Sequence, residues 1–242
     1  MHSDGVLVNP AHKLVVFAAL TLLFSALGRA VRGVTTGGAA AGAVVCFGLL
    51  WAAGLGAFAA LLMVFLLTWI ATRIGYSRKQ HLGTAEARTG RDALQVLANL
   101  GTAAGCAVFY ATLWSDRRLL IAMAAALAEA AADTVSSEIG QADGGAPRLI
   151  TTWQKVAPGT DGAITLAGTL AGTVAALGVA SVCVLAHIFD WKLLAVCAGA
   201  GLAGMIFDSL LGATLERRRL LGNNAVNFAS TIIAASLAAL LS

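Results

Sequence analysis

The chain has 242 residues, of which 59% are apolar before its 27 glycines are counted and only 12% are charged, with a mean hydropathy of +0.83. Soluble domains carry about 25% charged residues, so a chain this apolar is not a disordered protein, a nucleic-acid binder or an ordinary water-soluble enzyme. The net charge of +4 falls in short clusters between apolar stretches, which is the pattern of a polytopic membrane protein.

A hydrocarbon core of about 30 Å takes roughly 20 helical residues. On that measure eight apolar segments follow one another, near 14–28, 38–53, 57–72, 93–114, 118–139, 164–188, 193–214 and 226–241. The expected fold is therefore all-α, a transmembrane helix bundle of about eight segments (seven if one fails to cross). It forms a single integral membrane domain with loops at 73–92 and 140–163. The first segment is as short as a signal peptide, but Arg29 and Arg32 follow it, the charge order of a retained anchor. The second and third are joined only by the turn at Gly54–Gly56, so a hairpin that does not fully cross stays open. Cys46, Cys106, Cys183 and Cys197 lie inside apolar stretches without metal-ligand spacing and read as packing residues.

Polar groups enter these segments at one end only. In the fourth, Arg88, Asp92, Gln95, Asn99 and Thr102 recur at helical spacing, with Arg91 beside them. In the fifth, Glu129, Asp133, Ser136 or Ser137, and Gly140 share a face. Glu138 is turned about 140° from Asp133 on an ideal helix, so it reaches the same pocket only if the helix is ending there. A long loop follows, QADGGAPRLITTWQKVAPGTDGAIT, carrying Arg148, Lys155 and a Pro158–Gly159 turn. Thr160 and Asp161 are expected to cap the next helix and turn its N–H groups toward an anion. Asp208 and Ser209 close the seventh segment in FDSLLGAT, and Asn223, Asn224 and Asn227 open the eighth.

Twelve of the 16 basic residues fall in the loops on this polar side, and Lys13, Arg117, Arg118 and Lys192 make up the rest. The positive-inside rule makes the polar side cytoplasmic and puts both termini outside. Trp51, Trp114 and Trp191 then lie at outer ends and Trp69 near an inner one, as an aromatic belt would. The expected location is the cell or inner membrane, with the active side cytoplasmic.

An ionisable residue inside a membrane segment is costly and marks a site before it marks packing. Acids beside arginines suggest phosphate chemistry with Mg²⁺, which takes one or two carboxylates and lets phosphates complete its shell. Asp133 and Asp208 are the candidate metal ligands, while Arg88, Arg91, Arg148 and Lys155 are candidates for phosphate oxygens. No P-loop or protein-kinase signature is present. The only histidines are His2, His12, His81 and His187, and His81 alone falls in a cytoplasmic loop. A base-poor site suits an acceptor that is itself a phosphate, already ionised with a second pKa of about 6.

DTVSSEIG (133–140), APRLITTWQKVAPGTDGAITLAGTLAG (146–172), FDSLLGAT (207–214), NNAVNF (223–228) and LGTAEARTGRDALQVLANLG (82–101) together resemble one membrane family. It was first catalogued as domain of unknown function 92, and includes animal transmembrane protein 19 and the phytyl-phosphate kinase of tocopherol biosynthesis. The resemblance implies a kinase that uses CTP or another NTP, with Mg²⁺, to convert an isoprenyl monophosphate such as phytyl or geranylgeranyl phosphate to the diphosphate. DTVSSEIG is also distantly similar to a stretch of dolichol and phytol kinases and related cytidylyltransferases, which makes Asp133 the counterpart of their metal-binding aspartate. A basic residue often follows the glycine there, and Gln141 stands in its place.

The candidate catalytic carboxylates are Asp133, Glu138 and Asp208. The candidate substrate- and nucleotide-binding residues are Arg88, Arg91, Asp92 and Asn99, then Ser136 and Ser137. They continue with Arg148, Lys155, Thr160 and Asp161, and end with Ser209, Asn224 and Asn227. The expected partners are an isoprenyl-phosphate lipid, a nucleotide and membrane lipids, with no nucleic acid. A lipid cytidylyltransferase, an isoprenoid-alcohol kinase and a membrane carrier or flippase remain alternatives. A carrier needs polar groups near the midplane, and the one-sided placement here favours an enzyme.

Overall fold

The computed structural model describes residues 10–242, and helices account for most of them. In chain order they are α1 (Pro10–Ala30), α2 (Thr36–Arg73), α3 (Tyr76–Leu82), α4 (Ala93–Phe109), α5 (Arg117–Asp143), α6 (Leu166–Leu185), α7 (Leu194–Leu211) and α8 (Asn223–Leu241). A π-helical turn extends α4 over Tyr110–Trp114 and another extends α7 over Gly212–Glu216. Two short strands, β1 (Arg148–Leu149) and β2 (Ala163–Ile164), pair antiparallel between α5 and α6. Seven of these helices are long and apolar enough to cross a membrane. His2 lies outside the described residues.

The 38-residue α2 resolves the open question about the second and third segments. A straight helix of that length would run about 57 Å, yet its two ends lie side by side. The Arg73 guanidinium donates to the Val31 carbonyl at 2.6 Å, and Trp69 Nε1 donates to the same oxygen at 3.3 Å. The reversal is at Gly54, whose backbone (φ 74°, ψ −162°) leaves the helical region altogether. That φ is open to glycine and strained for other residues. The arms 36–53 and 55–73 each rise about 27 Å, close to the thickness of a hydrocarbon core. Because α2 doubles back, the seven long helices supply eight segments of membrane-spanning length.

Helix α5 stands at the centre, with 83% of its apolar window buried, against 17% for α1 at the periphery. Eight of the eleven residues from Ala122 to Ala132 are alanine, and this is what lets neighbours come close. Gly201 of α7 packs on Ala128, while Gly168 and Gly172 of α6 lie against the backbone of Ser136 and Ala132. Lipid supplies no hydrophobic drive for helix association, so close packing on small residues takes its place. Outside this core Leu22, Leu23, Val44, Val174, Leu185 and Leu240 are exposed, as a lipid-facing surface requires. Phe24 of α1 meets Phe58 and Phe65 of the second α2 arm edge to face, at 5.7 and 5.4 Å.

At one end the loops lock together. Thr35 N donates to Arg91 O at 2.9 Å and Arg91 N to Gly33 O at 3.1 Å, tying the α1–α2 link to the start of α4. The loop after α5 is ordered: Arg148 pairs with Ile164 and Leu149 with Ala163, and Leu149 is buried. Helix α6 begins at Leu166, and its N-cap is Thr165, which accepts from Gly168 N at 3.0 Å. This corrects the expectation for Thr160 and Asp161, because the β pairing carries the chain past them before the helix starts. At the opposite end the α2 turn packs on the α6–α7 link, with Gly56 against Ala186 and Ile188. Trp51, Trp114 and Trp191 are exposed there.

Candidate functional site

The loop end encloses a cavity of about 280 Å³. The ends of α4, α5, α7 and α8 form its walls, and Pro147 with residues 158 to 165 lies over it. Gly162 fixes that cover. Its φ of 74° and its approach to Ser209 O and Ala213 leave no room for a Cβ, so the loop sits directly on the end of α7.

Asp133 of α5 and Asp208 of α7 bring their carboxyl groups together in this cavity. Ser230 Oγ donates to Asp208 Oδ2 at 3.2 Å. A carboxylate only accepts, so the Asn227 amide turns its nitrogen to Asp208 Oδ2 (3.2 Å) and to Asn223 O (3.1 Å), and accepts from Asn99 Nδ2 at 3.2 Å. Asn99 also donates to Gln95 O at 2.8 Å. Arg91 faces Asp133 and donates to Thr134 Oγ1 at 3.2 Å, with Glu86 Oε2 3.9 Å from its Nε. Helices α4, α5, α7 and α8 are in this way joined by one polar network across the cavity.

Glu138 is held differently. It forms an ion pair with the fully buried Lys79 and accepts from Thr72 Oγ1 at 3.2 Å. Lys79 also donates to Thr72 O (2.9 Å) and Ala71 O (3.2 Å) in the last turn of α2. The pair clamps α3 and the end of α2 onto α5.

Of the residues expected from sequence, the cavity gathers Arg91, Asn99, Asp133, Ser136, Ser137, Glu138, Thr160, Asp161, Asp208, Ser209 and Asn227. Five expected residues fall elsewhere. Arg88 is exposed and its guanidinium lies 5.9 Å from the Tyr76 ring. Asp92 is spent on the capping box of α4, where it accepts from Gln95 N at 2.9 Å. Arg148 turns back to the Trp153 carbonyl at 2.7 Å, and Lys155, bridged to it through backbone, is exposed. Asn224 points off the cavity, and Asn223 lines it instead.

Sequence reasoning missed Glu86 and Glu216. Glu86 sits in a loop, where periodicity says nothing. Glu216 is brought in by the π-helical turn, whose extra residue swings it back toward the face of Asp208. Glu129 was visible as an intramembrane acid but lies deeper than the cavity. It is 1% exposed, and neither of its oxygens has a hydrogen-bond partner among the described residues.

The charge balance is lopsided: Glu86, Asp133, Glu138, Asp161, Asp208 and Glu216 line the cavity, and Arg91 is the one cationic side chain among its lining residues. Lys79 compensates Glu138 from behind, and the other carboxylates outnumber Arg91. An oxygen-only donor set with this excess charge suits a hard divalent cation. Among the described residues no group of three or more His, Cys, Asp and Glu side chains is gathered as a metal site.

Fold and site together define a polytopic integral membrane protein with an acidic, loop-covered cavity at one face. The chain belongs to the integral membrane protein DUF92 family, whose profile matches residues 19–235. An uncharacterized membrane protein of Methanocaldococcus jannaschii is 35% identical over 194 residues, covering 78% of each chain. Protein VTE6, chloroplastic, of Arabidopsis thaliana is 32% identical over 208 residues, 81% of this chain, which spans 62% of the length of that protein. Protein PGR of the same plant is 30% identical over 234 residues, 76% of this chain and 81% of its own. No solved structure matches the chain.

Proposed function

We propose that this protein transfers a phosphoryl group from a nucleoside triphosphate, CTP or another, to an isoprenyl monophosphate, with the cavity opening to the cytoplasm. The observation that carries this is the meeting of Asp133 and Asp208 from two membrane helices beside Arg91, in a cavity whose polar groups all lie at one end. The family resemblance to phytyl-phosphate kinases supplies the substrate class.

Asp133 and Asp208 are the residues that would hold Mg²⁺. When bound, the ion neutralises charge on the transferring phosphoryl group and its leaving oxygen. Ser230 and Asn227 fix the Asp208 carboxylate by donating to it. Arg91 is placed to hold a phosphate oxygen of the acceptor or donor. In the transfer, an oxygen of the acceptor monoester forms the new bond to the γ-phosphorus. The bond from that phosphorus to the β–γ bridging oxygen breaks, and the nucleoside diphosphate leaves. The monoester is already ionised, with a second pKa of about 6, so no histidine is needed to take a proton. Glu138, committed to Lys79, acts as a brace of the wall rather than on substrate.

The test is purified protein with phytyl phosphate or geranylgeranyl phosphate, CTP or ATP, and Mg²⁺, with products identified by mass. Isoprenyl diphosphate and nucleoside diphosphate are expected. A CDP-lipid with pyrophosphate would make the protein a cytidylyltransferase, and no turnover with any pair would sink the kinase. Sidedness is checked on a background lacking the four cysteines. Gln80→Cys should be labelled only from the cytoplasm and Asp116→Cys only from outside.

A further inference from the structure

A second chamber, of about 110 Å³, lies beside the acidic cavity, enclosed by α1, both arms of α2 and α4. Its wall is built from Phe24, Leu61, Val64, Phe65, Val96 and Leu100. At the loop end this lining gives way to Arg32, Arg73 and Arg91. Arg73 is pinned there, stacked 3.7 Å from the Trp69 ring and bonded to the Trp69 and Val31 carbonyls. The Arg32 backbone N–H donates to the Arg29 carbonyl at 3.1 Å, and its guanidinium has no hydrogen bond or ion pair among the described residues. An apolar chamber ending in guanidinium groups matches an amphiphile with an anionic head.

The chamber also meets the acidic cavity. Glu86, Arg91, Gln95 and Asn99 line both, so one wall faces apolar space on one side and Asp133 on the other. Access from the bilayer is lateral. Helices α1 and α4 both line the chamber yet scarcely touch, and α1 is the least buried of the long helices. The width is set by small residues: Gly28, Gly33, Gly38 and Gly42 all line it. The chamber's volume of about 110 Å³ is well below the roughly 300–1,000 Å³ of a typical ligand pocket, which suits the start of one hydrocarbon chain better than the two of a phospholipid.

We infer that this chamber binds the proximal part of a single-chain lipid phosphate, with its phosphate on Arg91 and Arg32 and its tail leaving between α1 and α4. This deepens the kinase reading, on which the role of the bound lipid as acceptor rests. The head then enters the shared wall beside the acidic cavity, while the chain stays in apolar surroundings. Placing a charged head at a water-filled end and a tail in hydrocarbon keeps both groups in the medium each prefers.

The binding of radiolabelled geranylgeranyl phosphate to the purified full chain, without nucleotide, tests this apart from catalysis. A Cβ at Gly42 meets nothing within 4 Å, so Gly42→Leu fills the chamber without a backbone clash. It should weaken binding at least ten-fold and leave Mg²⁺-dependent nucleotide binding unchanged. Gly105, where a Cβ likewise meets nothing within 4 Å, lies outside the chamber, and Gly105→Leu should bind as wild type. Geranylgeraniol, inorganic phosphate and two-chain phosphatidic acid should each compete at least ten-fold less well than unlabelled geranylgeranyl phosphate.

A diazirine-tailed isoprenyl phosphate on the wild-type chain should crosslink to α1, α2 and α4, a readout that needs no variant to fold. Crosslinking to α6 and α7 instead, wild-type binding by Gly42→Leu, or equal competition by phosphatidic acid would each overturn the inference. Binding in the chamber without phosphoryl transfer would leave it standing and remove the kinase. Normal transfer with an empty chamber would do the reverse.

Discussion

The two chambers share four residues and are otherwise built on opposite rules. The acidic cavity is made where helices end, from carboxylates and amides of α4, α5, α7 and α8 under an ordered loop. The apolar chamber is made along helix flanks, from aromatic and branched side chains held apart by glycines. Helix ends leave backbone groups open and reach water, so polar chemistry collects there at low cost. Helix flanks in lipid can offer only shape. The difference teaches that charge and apolar shape reside in separate parts of one fold and meet at Arg91.

The largest effect is expected at the floor of the acidic cavity. Asp133→Asn or Asp208→Asn should lower kcat about 10²–10³-fold, the range for removing one preorganised electrostatic contact, with thermal unfolding little changed. If activity and stability fall together in both variants, the carboxylates are helix locks. Chain-length selectivity should persist in whatever activity remains, because the apolar chamber is untouched.

The clamp behind the cavity comes next. Breaking a buried pair on one side leaves an uncompensated charge at a cost of about 3–5 kcal/mol, so Glu138→Gln or Lys79→Met should lower the unfolding temperature sharply. The double variant Lys79→Met with Glu138→Leu should recover most of it. A low kcat in a double variant that is fully stable would instead place Glu138 in the chemistry.

A smaller effect is expected over the cavity. Gly162→Ala meets both an unfavourable φ, worth about 1–3 kcal/mol, and the end of α7. It should loosen the loop and raise the KM for nucleotide several-fold, while geranylgeranyl phosphate binding stays within two-fold. Equal loss of both would mean that the loop covers the two chambers alike. The smallest effect belongs to Arg148→Ala and Lys155→Ala. Since neither lines the cavity, nucleotide KM should stay within about two-fold, the range of near-neutral surface changes. A ten-fold rise in either would show that the loop refolds onto the nucleotide.

Much of the site was legible because it follows helix periodicity. Asp133 with Ser136 and Ser137, and Asn99 one face from Thr102, are spaced by whole turns, and the positions converge as expected. Residues off the regular helix behaved differently. Asp92 was read as part of a binding stripe, yet a residue just ahead of a helix finds its best partner in the N–H groups there, and the capping box takes it. Thr160 and Asp161 were read as caps, yet β pairing moves the helix start to Leu166. Arg148 was read as a phosphate ligand and found a carbonyl five residues away.

By itself the amino-acid sequence determined that this chain is a predominantly helical membrane protein, where its apolar segments lie, and that the acids within them gather at one end. Those properties depend on composition and period, which are local and additive along the chain. Only the tertiary structure decided that α2 folds back at Gly54, that Glu138 belongs to Lys79, that Glu216 joins Asp208, and that an apolar chamber opens beside the acids. Each of these depends on which helix faces which. In lipid that is settled by backbone approach over small residues and by pairing of buried polar groups, and neither leaves a periodic trace in one chain.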